Sequence, residues 1–484
     1  MNKFANCRLI AELIKHKRFS TLKHSFLENT AIKVSVKELQ DRRNALCTSL
    51  IAKTKEEGKF DRILLLIYSS QPKFKTHHVP YKFIANSHFH YLTGITCPKS
   101  IYVCDVDLTK SNISHTLFID QHDEFQQLWE GPSISLNDAQ QVSGVDEVIP
   151  RNKLKDYFFD FSSKSFNSTL FWKGHLRNYF DPDPSFGVDH EADSWIEQSS
   201  NSANSKIKLA DPHPLIDELR LKKSPYELEC LKRAAEITSE YFTHIMRLPT
   251  ETLLSESSIA NEIEYRARAS GCELAYPPVV AGGSRANIIH YLDANNFNQE
   301  SDLILVDSGC KFNGYMADIT RTWPISKKYS QPQRILQQIL VQIQKECEQI
   351  VSPDVSLDDV YKFMLSRIIH HLVAEKIIPQ PDSPLRTAFQ ICPHHVGHYL
   401  GLDIHDSPSV SYQRKMQAGF VFPLEPGIYF PLVDSKQRVN NVAKEFRGLA
   451  LRLEDDYYMD ERGNAVKLCD RLPSDAFEIE AFIQ

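Results

Sequence analysis

Residues 303–323 read LILVDSGCKFNGYMADITRTW. Two apolar, β-rich runs are joined by KFNG, which reads as a hairpin connection. Each run carries one acid in apolar surroundings, Asp307 in the first and Asp318 in the second. A hairpin brings the two side by side although they stand 11 positions apart. Burying a carboxylate without a partner is costly, so the pair needs an explanation.

Two more acids lie in similar contexts: Glu425 in GFVFPLEPGIYF and Glu454 in LALRLEDDYYM. Between the hairpin and Glu425, ICPHHVGHYLGLDIHD (391–406) holds four of the chain's 19 histidines. Any single buried acid is more often an ion-pair partner than a ligand. Four of them beside a histidine cluster change the balance, because packed carboxylates repel unless cations neutralise them. Two divalent ions offset four negative charges. Oxygen-rich donors with one imidazole suit Mn²⁺, Co²⁺ or Zn²⁺, and hard oxygen favours manganese. Paired ions of this kind activate water at neutral pH and clamp a hydrolytic transition state.

The bulk properties are those of an ordinary globular protein. The chain has 484 residues, 42% hydrophobic and 24% charged, with net charge −6. That length predicts two domains, and the negative charge argues against nucleic-acid binding. RILLLIY (62–68) has the length of a buried strand and is far too short to span a bilayer. Ten scattered cysteines with no C-x-x-C pair fit reduced thiols, and Cys310 and Cys392 read as small buried hydrophobes.

The first 33 residues differ: seven Lys/Arg stand against two acids, leaving 49 basic and 60 acidic residues in the rest. With Leu9, Ile10, Leu13 and Ile14 at helical spacing, this basic leader reads as a mitochondrial targeting segment. Residues 34–212 alternate strand-like and helical segments, an α/β pattern. The polar stretch 197–205 reads as a mobile loop. Ser224, Pro225 and Glu227 cap a helix whose inner face carries Leu228, Leu231 and Ala235, and 334–350 is a second amphipathic helix. The domain boundary falls near 212, giving domains 34–212 and 213–484.

The ordered contexts VDSGC, ADITRTW, HHVGHYLGLDIHD, LEPGIY and LRLEDD resemble the pita-bread metallopeptidases. That family includes aminopeptidase P, prolidase and methionine aminopeptidase. ELAYPPVVAGG, NIIHYL, CPHHVGHYLG and LWEGP are similar to its mitochondrial aminopeptidase P and intermediate-cleaving peptidase subgroup. The resemblance spans about residues 36–480. It implies an α/β creatinase-like N-terminal domain and an α+β pita-bread catalytic domain. It implies that Asp307 binds one metal ion, His398 and Glu425 the other, and that Asp318 and Glu454 bridge both. Glu425 matches a general base, His405 a stabiliser of the developing oxyanion, and His290 and His394 residues lining the substrate site. Tyr429 and Arg452 match groups that flank this site and hold the bridging carboxylates. Trp129, in LWEGP, matches a tryptophan that reaches a neighbouring subunit's site.

The implied reaction is release of the first residue from Xaa-Pro peptides, including trimming of imported mitochondrial proteins. The Xaa-Pro amide is tertiary and needs a dedicated pocket. The implied setting is a homodimer in the matrix, with a possible cytosolic form, acting on peptide or protein N-termini without nucleic-acid or membrane partners. Pro423 departs from the family, which usually has Thr there; a proline is unusual in an inner strand. Prolidase, and a peptide-binding module that keeps the metal site, stay open as alternatives.

Overall fold

The computed structural model describes residues 33–163, 167–172, 189–200, 206–433, 439 and 441–484. All but the last residue of the basic leader, and the 201–205 part of the expected polar loop, lie outside this set. Residues 197–200 are not loop but the end of helix His190–Ser200. Buried Ala192 and Ile196 hold its inner face against the domain core, and Asp189 caps it by accepting the Ala192 N–H.

The N-terminal domain is built on one mixed sheet. Its strands are β1 (Arg62–Tyr68), β2 (Ile101–Asp107), β3 (Asn112–Ile119), β4 (Glu147–Pro150), β5 (Ser168–Phe171) and β6 (Ile207–Ala210), in spatial order β4-β3-β2-β1-β5-β6. Leu65 and Ile67 face helix α1 (Val36–Glu57) and its neighbours, whereas Leu64, Leu66 and Tyr68 pack on Phe158, Phe161 and Ile196. Both faces are covered, which explains why RILLLIY is continuously apolar.

After helix His213–Leu221, α2 (Pro225–Met246) starts with the expected reciprocal cap: Ser224 N–H donates to Glu227 and the Glu227 N–H to Ser224 Oγ. Leu231 and Ala235 on its inner face are buried. The C-terminal half contains β7 (Val279–Gly282), β8 (Leu303–Ser308) and β9 (Ile319–Pro324) in one antiparallel sheet. α3 (Gln331–Ile350) and α4 (Leu357–Ala374) follow and pack on each other. Then come β10 (Val421–Leu424), β11 (Gly427–Tyr429), β12 (Ala450–Arg452), β13 (Asp455–Met459) and β14 (Ala465–Lys467). A bridge between Thr320 and Glu454 joins β9 to the turn between β12 and β13.

The 303–323 segment folds as the expected hairpin, with Asp307 opposite Thr320. Asn313 and Gly314 both take positive φ, the conformation of a tight hairpin turn. Among the described residues no helix is long and apolar enough to cross a membrane.

Candidate metal centre and active site

Five acidic and imidazole side chains converge between the β7-β8-β9 sheet and the strands β10 to β13, which the Thr320–Glu454 bridge joins. Asp307 leaves β8, Asp318 precedes β9, Glu425 follows β10 and Glu454 sits between β12 and β13. His398 comes from the irregular 392–407 segment, which runs beside β10 through Leu400 N–H to Val421 O and Glu425 N–H to Val396 O.

The donors are close. Asp318, His398 and Glu454 each offer a donor atom within 4.8 Å of the others. His398 Nε2 lies 3.3 Å from Asp318 Oδ2. The Tyr276 hydroxyl lies 2.6 Å from Asp307 Oδ1 and 2.5 Å from Asp318 Oδ1. His398 Nδ1 is 3.1 Å from the Tyr399 carbonyl. A donor there puts the proton on Nδ1 and aims the Nε2 lone pair at the carboxylates, the tautomer a ligand needs.

The electrostatics match a cation site. Burial, with repulsion from Asp318 and Asp307, raises the Glu425 carboxyl to about 8. Burial and the same neighbours raise Glu454 well above the carboxylate range, and Asp307 is raised despite Arg452. Burial lowers His398, yet its contact with Asp318 and the nearby Glu425 leave it raised overall. Four mutually repelling carboxylates and an imidazole turned toward them form a donor set that divalent ions fit.

Around the donors runs a chain of hydrogen bonds. Arg452 donates to Asp307, to Thr320 Oγ1 (3.1 Å) and to the Tyr429 hydroxyl (2.8 Å). Thr320 Oγ1 donates to Glu454 Oε2 at 2.6 Å. The Tyr429 hydroxyl lies 2.9 Å from His394 Nε2, while His394 Nδ1 is 2.8 Å from the His395 carbonyl. Both His394 nitrogens are thus engaged, and the residue forms a wall next to Glu425, whose Oε2 is 3.5 Å from Nδ1. Burial and the Arg452 charge push His394 down to about 3.

His405 stacks edge-on against His398 at 4.5 Å and is lowered to about 4 by burial and the charge of His398. His290 is exposed at the rim, near enough to lower both His394 and His405. His395 packs between Tyr361 and Tyr412, away from the donors, as a structural residue. Trp129 stays apart: it is 75% exposed on helix Glu124–Glu130 and packs on Phe125. Among the described residues it does not enter the contacts that build this centre.

Sequence reading missed Tyr276 and Thr320. Tyr276 opens the Pro-Pro pair in ELAYPPVV, a polar hydroxyl in an otherwise apolar run, and that was the available signal.

Pro423 finds a physical explanation. Within its sheet β10 pairs only with β13, while the irregular 396–400 segment borders its other side. Met459 N–H bonds Phe420 O, whereas Val421 and Glu425 bond the 396–400 segment. By alternation Pro423 falls in the second set, so the sheet does not use its missing N–H. Its carbonyl instead sits against Gly397, where a Cβ would come within 2.0 Å of that oxygen. Cys310 and Cys392 are fully buried, as expected.

A fold of this kind around such a donor set defines a two-domain metallohydrolase. Residues 229–461 match the model of metallopeptidase family M24, and residues 39–171 match the aminopeptidase P N-terminal domain. The chain belongs to this peptidase family and is a metallo-aminopeptidase with an aminopeptidase P domain ahead of a pita-bread domain. More narrowly, it is a homologue of Xaa-Pro aminopeptidase 3: it is 33% identical to the Mus musculus protein over 420 residues, 86% of this chain and 80% of that one. Intermediate cleaving peptidase 55, mitochondrial, of Arabidopsis thaliana is 30% identical over 87% of this chain and 79% of its own length. The solved structure of Icp55 from Saccharomyces cerevisiae superposes with a TM-score of 0.78 at 25% identity, covering 93% of this chain and 98% of that one.

Proposed function

We propose that the enzyme releases the N-terminal residue of peptides and proteins, preferentially where proline follows, using two divalent ions, manganese first among them. The convergence of Asp307, Asp318, His398, Glu425 and Glu454 carries this reading. Asp307 would hold one ion, His398 and Glu425 the other, and Asp318 and Glu454 both. Bound there, the ions would neutralise the carboxylates, polarise the scissile carbonyl and favour ionisation of water.

The chain's own side chains supply the remaining steps. Glu425, at the open side of the centre, accepts a proton from water and returns one to the departing prolyl nitrogen. His405, held neutral beside His398, donates a hydrogen bond to the developing oxyanion without adding a positive charge that would repel cations. His394, locked by Tyr429 and the His395 carbonyl, walls the pocket, and exposed His290 borders the approach of the peptide. Arg452 and Tyr429 hold Asp307 and His394 in register.

The basic leader and the mitochondrial relatives support action on imported proteins in the matrix, alongside a possible cytosolic form. Exposed Phe125, Leu128 and Trp129 on one short helix support a homodimer in which Trp129 approaches the partner's pocket. The test is a substrate panel read by mass spectrometry: Xaa-Pro-Pro-Xaa, its N-acetylated form, and the dipeptide Xaa-Pro. Cleavage of the first alone supports the proposal. Cleavage of the dipeptide alone would establish a dipeptidase, and cleavage of the acetylated peptide would refute the exopeptidase reading.

A further inference from the structure

A second cluster of metal-ligating side chains lies in the core of the N-terminal domain, remote from the five donors. Cys47 comes from α1 and Cys104 from β2, and His115 on β3 is the direct antiparallel partner of Cys104. The two sulfurs are 3.4 Å apart. Donor atoms of all three residues lie within 4.8 Å of one another. Both cysteines are buried and His115 is half-buried, which leaves an approach along the imidazole. Two sulfurs and one imidazole form a soft donor set, suited to zinc and unlike the oxygen-rich centre of the catalytic domain.

The surroundings fit a charged site in a dry core. Arg43, one turn before Cys47, donates to the carbonyls of Leu92 (2.8 Å) and Gly144 (2.9 Å), while its buried Nε–H has no acceptor among the described residues. Thiolates at Cys104 and Cys47, both close enough to act on the Arg43 charge, would set negative charge beside it. Asp146 accepts the His115 backbone N–H at 2.7 Å and sets a negative charge against Arg43. Two thiolates cancel Zn²⁺, and Arg43 cancels Asp146, so the filled cluster is neutral. The Tyr102 hydroxyl lies 2.8 Å from His115 Nδ1 and orients the ring, as ligating histidines require.

We propose that Cys47, Cys104 and His115 supply three ligands of a zinc site, water completing the tetrahedron, that ties α1 to the sheet of the N-terminal domain. Binding releases the two thiol protons as two zinc–sulfur bonds and one zinc–nitrogen bond form, with no change of oxidation state. The experiment loads the reduced full-length chain with Co²⁺ as a spectroscopic substitute and records the near-ultraviolet sulfur-to-cobalt charge-transfer band. Oxygen-rich coordination does not produce that band. The proposal expects the band in the wild type, its loss in Cys47→Ser and Cys104→Ser, and its persistence in Cys392→Ser, which removes the thiol beside His394. Absence of the band, or its survival in both cluster variants, would show two ordinary core thiols and overturn the proposal. Should a serine variant fail to fold by circular dichroism, His115→Ala at its half-buried position decides: a shifted or weakened band supports the site and an unchanged one refutes it.

Discussion

Replacing Thr320 by valine removes one hydroxyl and puts a methyl of nearly equal size in its place. Thr320 is fully buried, and its Oγ1 donates to Glu454 Oε2 at 2.6 Å while accepting from Arg452 Nε at 3.1 Å. The backbone bridge between Thr320 and Glu454 survives the change, since it uses only main-chain groups. What is lost is the Thr320 hydrogen bond that aims the buried Glu454 carboxylate. Leaving such an acceptor short of a partner costs about 1–3 kcal/mol. Loss of a group that orients a metal ligand lowers metal affinity or activity about 10- to 100-fold, which corresponds to roughly 1.4–2.8 kcal/mol. The two magnitudes agree. The assay is calorimetric titration of Mn²⁺ into the apo-enzyme together with steady-state peptide hydrolysis, comparing Thr320→Val with Thr320→Ser. Serine keeps the hydroxyl and should stay near wild type, whereas valine should fall by the stated factor. If valine stayed within about twofold of wild type in both assays, Glu454 would not depend on this bond and the reasoning would fail.

Three other outcomes follow from the same geometry. Gly397→Ala drives a Cβ to 2.0 Å from the Pro423 carbonyl oxygen, next to His398; we expect a loss of about 1–3 kcal/mol in urea unfolding together with weakened metal binding. Glu346 joins α3 to α4 through Arg367 (2.7 Å) and His371 (3.2 Å); burial works against ionisation, but these partners hold its carboxyl at about 2. A depressed carboxyl stabilises the fold above the ordinary glutamate value near 4.3 and loses that effect as pH falls toward 2. Glu346→Gln should therefore flatten stability against pH between about 4 and 2, which acid titration followed by circular dichroism reads directly. Tyr276→Phe removes the hydroxyl shared by Asp307 and Asp318 while keeping the ring; turnover should drop about 10-fold or more with the fold intact by circular dichroism.

Much of this was legible in the sequence because local patterning dictates it. The Asn313-Gly314 turn sets the register of the 303–323 hairpin, so the closeness of Asp307 and Asp318 could be read from apolar runs alone. The Ser224/Glu227 cap was equally local. The convergence of Glu425, Glu454 and His398 on that hairpin is a long-range event, and only the ordered motifs of a known family pointed to it. Tyr276 and Thr320 escaped notice because a hydroxyl in an apolar run looks the same whether it serves a carboxylate or the backbone. Helix His190–Ser200 was mistaken for loop at its end because four polar residues there conceal a helix anchored by Ala192 and Ile196 further back. Pro423 looked anomalous while its strand was taken as internal; its position alternates away from β13, so no bond between β10 and β13 needs its N–H.

On the proposed function, five converging side chains hold the ions that make this chain an aminopeptidase, and Glu425 carries the proton. The most direct measurement is release of the first residue from Xaa-Pro-Pro-Xaa by the Mn²⁺-loaded protein, followed by mass spectrometry beside Glu425→Gln. The wild type should release the residue, and the variant should do so about 10²- to 10⁴-fold more slowly. Equal rates in the two, or no release by a wild type shown to carry its metal, would contradict it.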